Sequence, residues 1–328
     1  MKRQMKSFLL RPTGKDYIWG GTRLKSEFGK DFLPENPLAE SWECSVHPDG
    51  PSFVDSGSEK GKSLAELLAE HPEYLGTTPS IEASGTLPIL TKLIDVKTDL
   101  SVQVHPDDDY ANRMENGQAG KTELWYVVDA EPGAQIVFGL NRNITREELR
   151  RSLADGTVER YLNYIPVQSG DVFFITAGTI HAICKGVLVA EIQQNSNLTY
   201  RMYDYGRLGK DGKPRPLHIE KAMDVVKLFG SHPLRQPKRV LRQIEGFVHE
   251  LLCSSPYFQV DRCLLNASDI VLEALPESFR VLLCLSGTGT LREGSESLAF
   301  EKGQTVFIPA TAKNLTLSGE ATFLLIRG

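Results

Sequence analysis

Five polar residues in this chain have types and spacings that strand geometry can gather into one metal site with a cationic neighbour: Gln103 and His105, Lys121 and Glu123, and His181. In Leu100-Ser101-Val102-Gln103-Val104-His105, strand alternation puts Ser101, Gln103 and His105 on one face and Val102 and Val104 on the other. One strand then offers a nitrogen and an oxygen ligand together. The same parity sets Lys121 and Glu123 side by side at the start of Lys121-Thr122-Glu123-Leu124-Trp125-Tyr126-Val127-Val128, an ammonium next to a carboxylate. His181 follows Gly170 to Ile180, which reads as a strand, a glycine turn and the start of another strand. Two imidazoles, a carboxylate and an amide oxygen make a four-ligand set suited to zinc or another divalent first-row metal.

Each residue also has a plainer reading. A histidine before Pro106 and three aspartates, Asp107 to Asp109, is ordinarily a solvated turn residue, and His47-Pro48-Asp49 is the internal control. It has the same local sequence without the polar residue two positions upstream, apart from the weak candidate Ser45, and reads as a turn. Glu123 and Lys121 alone are compatible with surface charges, and His181 alone with a hydrogen-bonded core histidine. Taken jointly they favour a site, because buried polar side chains are costly unless satisfied and one cation satisfies several together.

Composition bounds the possibilities. At 328 residues the chain can hold one large or two modest domains with real cores. A net charge of −5 gives no electrostatic footprint for nucleic acid. The cysteines, Cys44, Cys184, Cys253, Cys263 and Cys284, are odd in number and widely spaced, which argues against a disulfide framework or zinc ribbon and points to a reducing cytoplasm. Cys184 stands an odd offset from His181, on the opposite face of a continuous strand, and is not counted as a ligand. Lys2, Arg3 and Lys6 precede only Phe8-Leu9-Leu10, too short for a signal-peptide core, and no stretch approaches a membrane span.

The elements that must position these residues are mostly strands, bounded by glycine, proline and aspartate, so an all-β fold with a few helices is expected. Helical patterning is confined to 63–70, to 145–154 with a capping box at Thr145 and Glu148, and to 219–228. Residues 231–239, with two prolines and several basic side chains, read as a linker between units spanning 1–235 and 236–328. Gly170-Asp171-Val172-Phe173-Phe174-Ile175-Thr176-Ala177 aligns without a gap on Gly303-Gln304-Thr305-Val306-Phe307-Ile308-Pro309-Ala310. Extending the overlay sets His181 opposite Asn314, so the second unit reads as a repeat of the first without its metal ligand. Gly287-Thr288-Gly289-Thr290-Leu291 reads as a hairpin turn, since no helix or Lys-Ser/Thr pair follows to make a phosphate loop.

With these motifs the chain resembles the type I mannose-6-phosphate isomerases, zinc-dependent cupin enzymes, in their short bacterial form. The resemblance spans most of the chain. It is densest in Trp42-Glu43, Thr91 to Asp95, Leu100 to Asp107, Gly120 to Tyr126, and the stretch holding Tyr200, Arg201, Tyr203, Asp204, Tyr205, Gly206 and Arg207. It implies a cupin fold, two jelly-roll β-barrels in tandem, with one zinc per chain held by Gln103, His105, Glu123 and His181. It also implies that Arg201 and Lys121 line the active site. The chain is too short for the large helical insertion of long members.

The reaction so implied interconverts mannose 6-phosphate and fructose 6-phosphate, moving a proton between C2 and C1 through an enediol. Lys92, Ser101, Lys121 and Arg201 are the donors available for the phosphate, Arg201 being best suited to a forked contact. Catalysis is assigned to Arg201, Lys121 and Glu191. Lys121 acts at the phosphate or in proton transfer, and Glu191, a lone carboxylate in an apolar strand, is the rival base. Lys92 is the weakest of these donors, since a lysine at a strand start is more often exposed, and the plainer reading of Glu191 is a strand charge paired with an arginine. Two other classes stay open, a non-haem iron dioxygenase and a non-catalytic sugar-binding cupin, although Gln103 as fourth ligand would block the position oxygen needs. The partner expected is a small hexose 6-phosphate, with no nucleic acid or membrane, in a monomer or homodimer.

Overall fold

The computed structural model describes residues 6–231 and 235–328, without the side chain of Ser268. Lys2, Arg3 and the middle of the expected linker, 232–234, lie outside the described residues; Arg235 to Lys238 is irregular chain, and a strand begins at Arg239.

Among the described residues the fold is mostly β, with antiparallel pairing throughout its three sheets and six short α-helices. A six-stranded sheet runs in the order Val172–Ile175, Glu123–Ala130, Val187–Gln194, Ile89–Val96, Glu40–Cys44, Thr13–Lys15. A five-stranded sheet runs Tyr200–Tyr203, Val102–Val104, His181–Ile183, Gln135–Leu140, Leu162–Pro166. The nine-stranded sheet is built around Gln259–Leu272, Leu315–Arg327 and Arg280–Glu293, long strands that also share a core. Among the described residues hydrogen bonding closes none of the three into a barrel. The two jelly-roll barrels in tandem implied by the resemblance are therefore not seen as closed barrels in the hydrogen-bonded sheets.

Strand alternation explains how the layers stack. In Glu123–Ala130, Leu124 and Tyr126 enter the core against the nine-stranded sheet, while Trp125 and Val127 enter the core shared with the five-stranded sheet. Leu188, Ala190 and Ile192 alternate with Val187 and Val189 in the same way. The six-stranded sheet is therefore buried on both faces, and its strands read as continuous apolar runs broken only where chemistry is placed. In the five-stranded sheet Val102, Val104 and Ala182 pack outward, toward the helices Arg146–Ala154 and Ile219–Val225. Gln103 and His181 are left to face the six-stranded sheet.

Two N-terminal strands, Phe8–Arg11 and Phe53–Val54, extend the nine-stranded sheet, with Phe8 opposite Phe307. Alternation cannot say which sheet a strand will join, so this exchange across the expected boundary was not legible. The repeat holds locally: Val172–Ile175 and Thr305–Ile308 are both strands entered through a left-handed glycine, Gly170 and Gly303, and Asn314 is also left-handed. Gly287 to Leu291 do not form the expected hairpin turn. These residues lie inside the strand Arg280–Glu293, after a bulge, and the hairpin turns later, between Glu293 and Glu296.

The expected helices form at Leu64–Glu70, Arg146–Ala154 and Ile219–Val225, with the capping box at Thr145 and Glu148 in place and a second at Ser63 and Glu66. Three more form at Arg23–Phe28, Pro79–Ser84 and Asp108–Met114, where no apolar stripe announced them. Asp107 caps the last by accepting from the Tyr110 amide, so the aspartate run after His105 starts a helix. No helix among the described residues is long and apolar enough to cross a membrane.

Candidate active site

The site lies between the five- and six-stranded sheets, and register assembles it in two rows. On one sheet Gln103 pairs with Arg201 on one side and His181 on the other. On the other, Glu191 stands between Lys92 and Trp125, and Gln193 pairs with Glu123. His105 leaves the strand Val102–Val104 still on the Gln103 face, and Lys121 precedes the strand that Glu123 opens.

His105, Glu123 and His181 are fully buried and converge. The two histidine Nε2 atoms are 3.0 Å apart; Glu123 Oε1 is 3.3 Å from His181 Nε2 and Oε2 is 3.4 Å from His105 Nε2. The Gln103 amide reaches His181 Nε2 at 3.3 Å, and its oxygen and nitrogen exchange by a flip. Ligands about 2.0–2.1 Å from a tetrahedral zinc ion stand about 3.3 Å from one another, so these separations are those of a coordination shell. Both Glu123 oxygens are buried without a hydrogen bond, an expensive arrangement that a cation would relieve. His181 Nδ1 is 2.9 Å from the Thr179 carbonyl, which places the ring proton there and turns the Nε2 lone pair inward.

Electrostatics keep these side chains in the protonation states that could bind a metal. Burial, helped by the Lys121 charge, pushes the His105 pKa down to about 3, and burial also lowers that of His181. Burial alone would raise the pKa of Glu123, but Lys121, His105 and His181 outweigh it and hold the carboxyl well below its usual range. Neutral imidazoles beside a carboxylate are what a divalent cation requires.

Above this cluster opens a cavity of about 260 Å³ whose walls include Lys92, Ser101, Gln103, Lys121, Glu191 and Arg201. Lys121 Nζ lies 3.2 Å from Glu123 and 3.9 Å from Glu191. Lys92 is buried mid-strand rather than exposed at a strand start, 3.1 Å from Glu191 and 3.7 Å from Glu40, and these carboxylates overcome the burial that opposes its charge. Glu191 is thus paired with lysines, not with an arginine, and also accepts from Trp125 Nε1 at 2.8 Å. Arg201 donates through Nε to Ser101 Oγ at 3.3 Å and through Nη1 to the Pro216 carbonyl at 2.8 Å.

His47, the control, sits in a turn, with its ring edge-on to Trp42 and its Nδ1 accepting from the Asp49 amide. Cys184 joins the outer core of the five-stranded sheet, as parity requires. Tyr17, Trp19, Glu40, Asn197, Thr199 and Arg215 also line the cavity and were missed. Only Glu40 carried a signal, a carboxylate two residues before a buried tryptophan whose Nε1 it accepts at 2.7 Å.

Comparison with known proteins agrees with this geometry. Residues 8–135 match the model of the phosphomannose isomerase type I catalytic domain, and residues 250–327 that of the mannose-6-phosphate isomerase cupin domain. The chain is 40% identical over 303 residues to a mannose-6-phosphate isomerase of Streptococcus mutans, covering 92% of each. It is 38% identical to the mannose-6-phosphate isomerase ManA of Bacillus subtilis, covering 95% of each. The crystal structure of a mannose 6-phosphate isomerase from Bacillus subtilis superposes with a TM-score of 0.89 at 36% identity, covering 98% of this chain and 99% of that one.

Proposed function

The chain belongs to the type I phosphomannose isomerase family, and from that premise we propose that it interconverts mannose 6-phosphate and fructose 6-phosphate in the cavity between its two facing sheets. The observation that carries the reading is one arrangement: His105, Glu123 and His181, buried and at the spacing a coordination shell needs, beneath a cavity whose walls include Lys92, Ser101, Gln103, Lys121, Glu191 and Arg201. Hydrogen bonds and charges of this kind suit a sugar with a dianionic tail.

In the proposed course, Arg201 and Ser101, 3.3 Å apart, hold the phosphate. Towards fructose 6-phosphate, Glu191 takes the C2 proton and Lys121, 3.9 Å away, gives a proton to O1 to form the enediol. Glu191 then returns its proton at C1 while Lys121 recovers one from O2 as the C2 carbonyl forms. Lys92 is engaged by Glu40 and Glu191 and acts by orienting Glu191 rather than by reaching the phosphate. Gln103, His105, Glu123 and His181 would hold a divalent ion, zinc by their chemistry, which supplies positive charge near the sugar oxygens when bound.

A division into 1–235 and 236–328, the second unit a cupin-like repeat without ligands, fits the paired glycine-strand motifs. Phe8–Arg11 is then lent to the second unit's sheet. A cytoplasmic setting fits five cysteines that are all buried and free. The test is metal analysis of the purified protein with a coupled isomerase assay before and after chelation. Full activity in protein stripped of metal would refute the reading.

A further inference from the structure

The far end of the cavity carries a second guanidinium that the reaction as described does not use. Arg215 lines the same cavity as Arg201, from the irregular segment between Tyr203 and the helix Ile219–Val225. It grips Asp204 with two donors, Nε to Oδ2 at 2.8 Å and Nη2 to Oδ1 at 2.6 Å, and its Nη1 makes no hydrogen bond among the described residues. Asp204 is buried and also takes Arg207 Nη2 at 2.5 Å. Arg207 is committed elsewhere: it donates to the Asp99 carbonyl, lies over the Tyr205 ring, and does not line the cavity.

Charge at this end is unbalanced. Arg201, Arg207 and Arg215 face a single carboxylate, Asp204, because Arg201 is satisfied only by the Ser101 hydroxyl and the Pro216 carbonyl. Among the described residues these guanidiniums outnumber the carboxylates that pair with them, which suits an anionic phosphate. The segment is also tied to Arg201 through its neighbour: the His218 amide donates to the Arg201 carbonyl at 2.8 Å, and the Arg201 amide donates to His218 Nδ1 at 3.2 Å. Fixing Arg215 by a buried carboxylate pre-organises its free donor, so little side-chain freedom is lost when an anion arrives.

We propose that Arg215, positioned by Asp204, is a second phosphate-binding arginine that works with Arg201 and sets the preference for phosphorylated over unphosphorylated hexose. This rests on the isomerase reading and deepens it. Because the phosphate stays remote from the carbons that exchange a proton, Arg215 contributes to binding in ground and transition states alike and is read in KM.

The experiment compares steady-state kinetics of Arg215→Gln with mannose 6-phosphate and with mannose, together with inhibition by inorganic phosphate. A charge-assisted contact is worth about 1.5–3 kcal/mol, so KM for mannose 6-phosphate should rise about 10- to 100-fold with kcat within about threefold. The inhibition constant of phosphate should rise in parallel, and the ratio of kcat/KM between mannose 6-phosphate and mannose should fall by the same factor. Arg215→Lys should recover part of the loss. If Arg215→Gln fails to fold because Asp204 loses its partner, the double variant Asp204→Asn, Arg215→Gln removes that buried charge and is measured instead. An unchanged KM and phosphate inhibition constant, or a fall in kcat alone, would overturn the proposal. Wild-type protein that does not isomerise mannose 6-phosphate would instead refute the isomerase reading itself.

Discussion

The Nε2 atoms of His105 and His181 lie 3.0 Å apart although 76 residues separate the two histidines in the chain. One histidine follows a strand and the other opens the strand paired beside it, with Gln103 directly opposite His181 in the register. Two neutral imidazoles packed this closely, against a carboxylate whose oxygens accept no hydrogen bond, make sense around a cation.

Metal should therefore be needed for both activity and full stability. Chelation is expected to abolish turnover and lower the melting temperature, with zinc restoring both. His105→Ala should purify without stoichiometric metal and lose at least about 10³-fold in kcat, since a bound metal contributes several kcal/mol of charge stabilisation. Elemental analysis and a coupled assay check this; retained metal in His105→Ala would contradict the ligand assignment.

Metal-free protein should lose stability in acid with a definite sign. His105 is pushed down to about 3 in the folded state, whereas an unfolded histidine titrates near ~6.5. Between these values the unfolded chain binds a proton that the folded chain refuses, so stability drops as pH falls from ~6.5, with the histidine contribution gone below about 3. The lowered pKa of His181 acts in the same direction, and that of Glu123 adds to it at lower pH. Urea midpoints of chelated protein between pH 7 and pH 5 should fall, and His105→Gln should flatten the slope; equal slopes would exclude His105 as the cause.

Proton transfer separates Lys121 from Glu191. In deuterated buffer, Glu191→Gln is expected to slow exchange at C2 by about 10²- to 10⁴-fold, the usual worth of a positioned base. Lys121→Met should slow turnover without abolishing exchange. Normal exchange in both variants would mean that neither residue is the base.

Trp125 holds the proposed base, Glu191, in place. Its Nε1 donates to Glu191 Oε2 at 2.8 Å, and its ring stands edge-on to His181 at 5.5 Å. Trp125→Phe keeps the ring and removes the donor, so kcat should fall about tenfold, the value of one hydrogen bond to a charged group, with metal content unchanged. A fall in metal content would show that the residue supports the ligands instead.

Behind the site, a buried ion pair fastens the sheets together. Lys30 Nζ is 2.9 Å from Glu43 Oε1, and Thr305 Oγ1 donates to Glu43 Oε2 at 3.0 Å. Lys30→Met leaves Glu43 buried without its cation and should cost about 3–5 kcal/mol in denaturant unfolding. Adding Glu43→Leu should recover much of that, because the uncompensated charge is then gone. A double variant no better than the single would show that the loss comes from packing.

Much of the His105, Glu123 and His181 cluster was legible because strand parity is a local property. Val102 and Val104 pack away from Gln103 by alternation alone, and the same rule set Glu123 apart from Leu124 and excluded Cys184. The Thr145 and Glu148 capping box was legible for a similar reason, being complete within one turn. The helix Asp108–Met114 was missed because it buries only Ala111, whereas the equally short Leu64–Glu70 carries the stripe Leu64, Leu67 and Leu68.

By itself the sequence determined which residues share a face, where two of the helices begin, and to which family the chain belongs. Tertiary structure alone decided which faces meet. It buried Lys92 between Glu40 and Glu191, clamped Arg215 on Asp204, and sent Phe8–Arg11 into the sheet of the C-terminal strands. The reason is physical: alternation assigns a side chain to one side of its own strand. The partner of a buried charge depends on register and stacking between strands far apart in the chain, which no local pattern encodes.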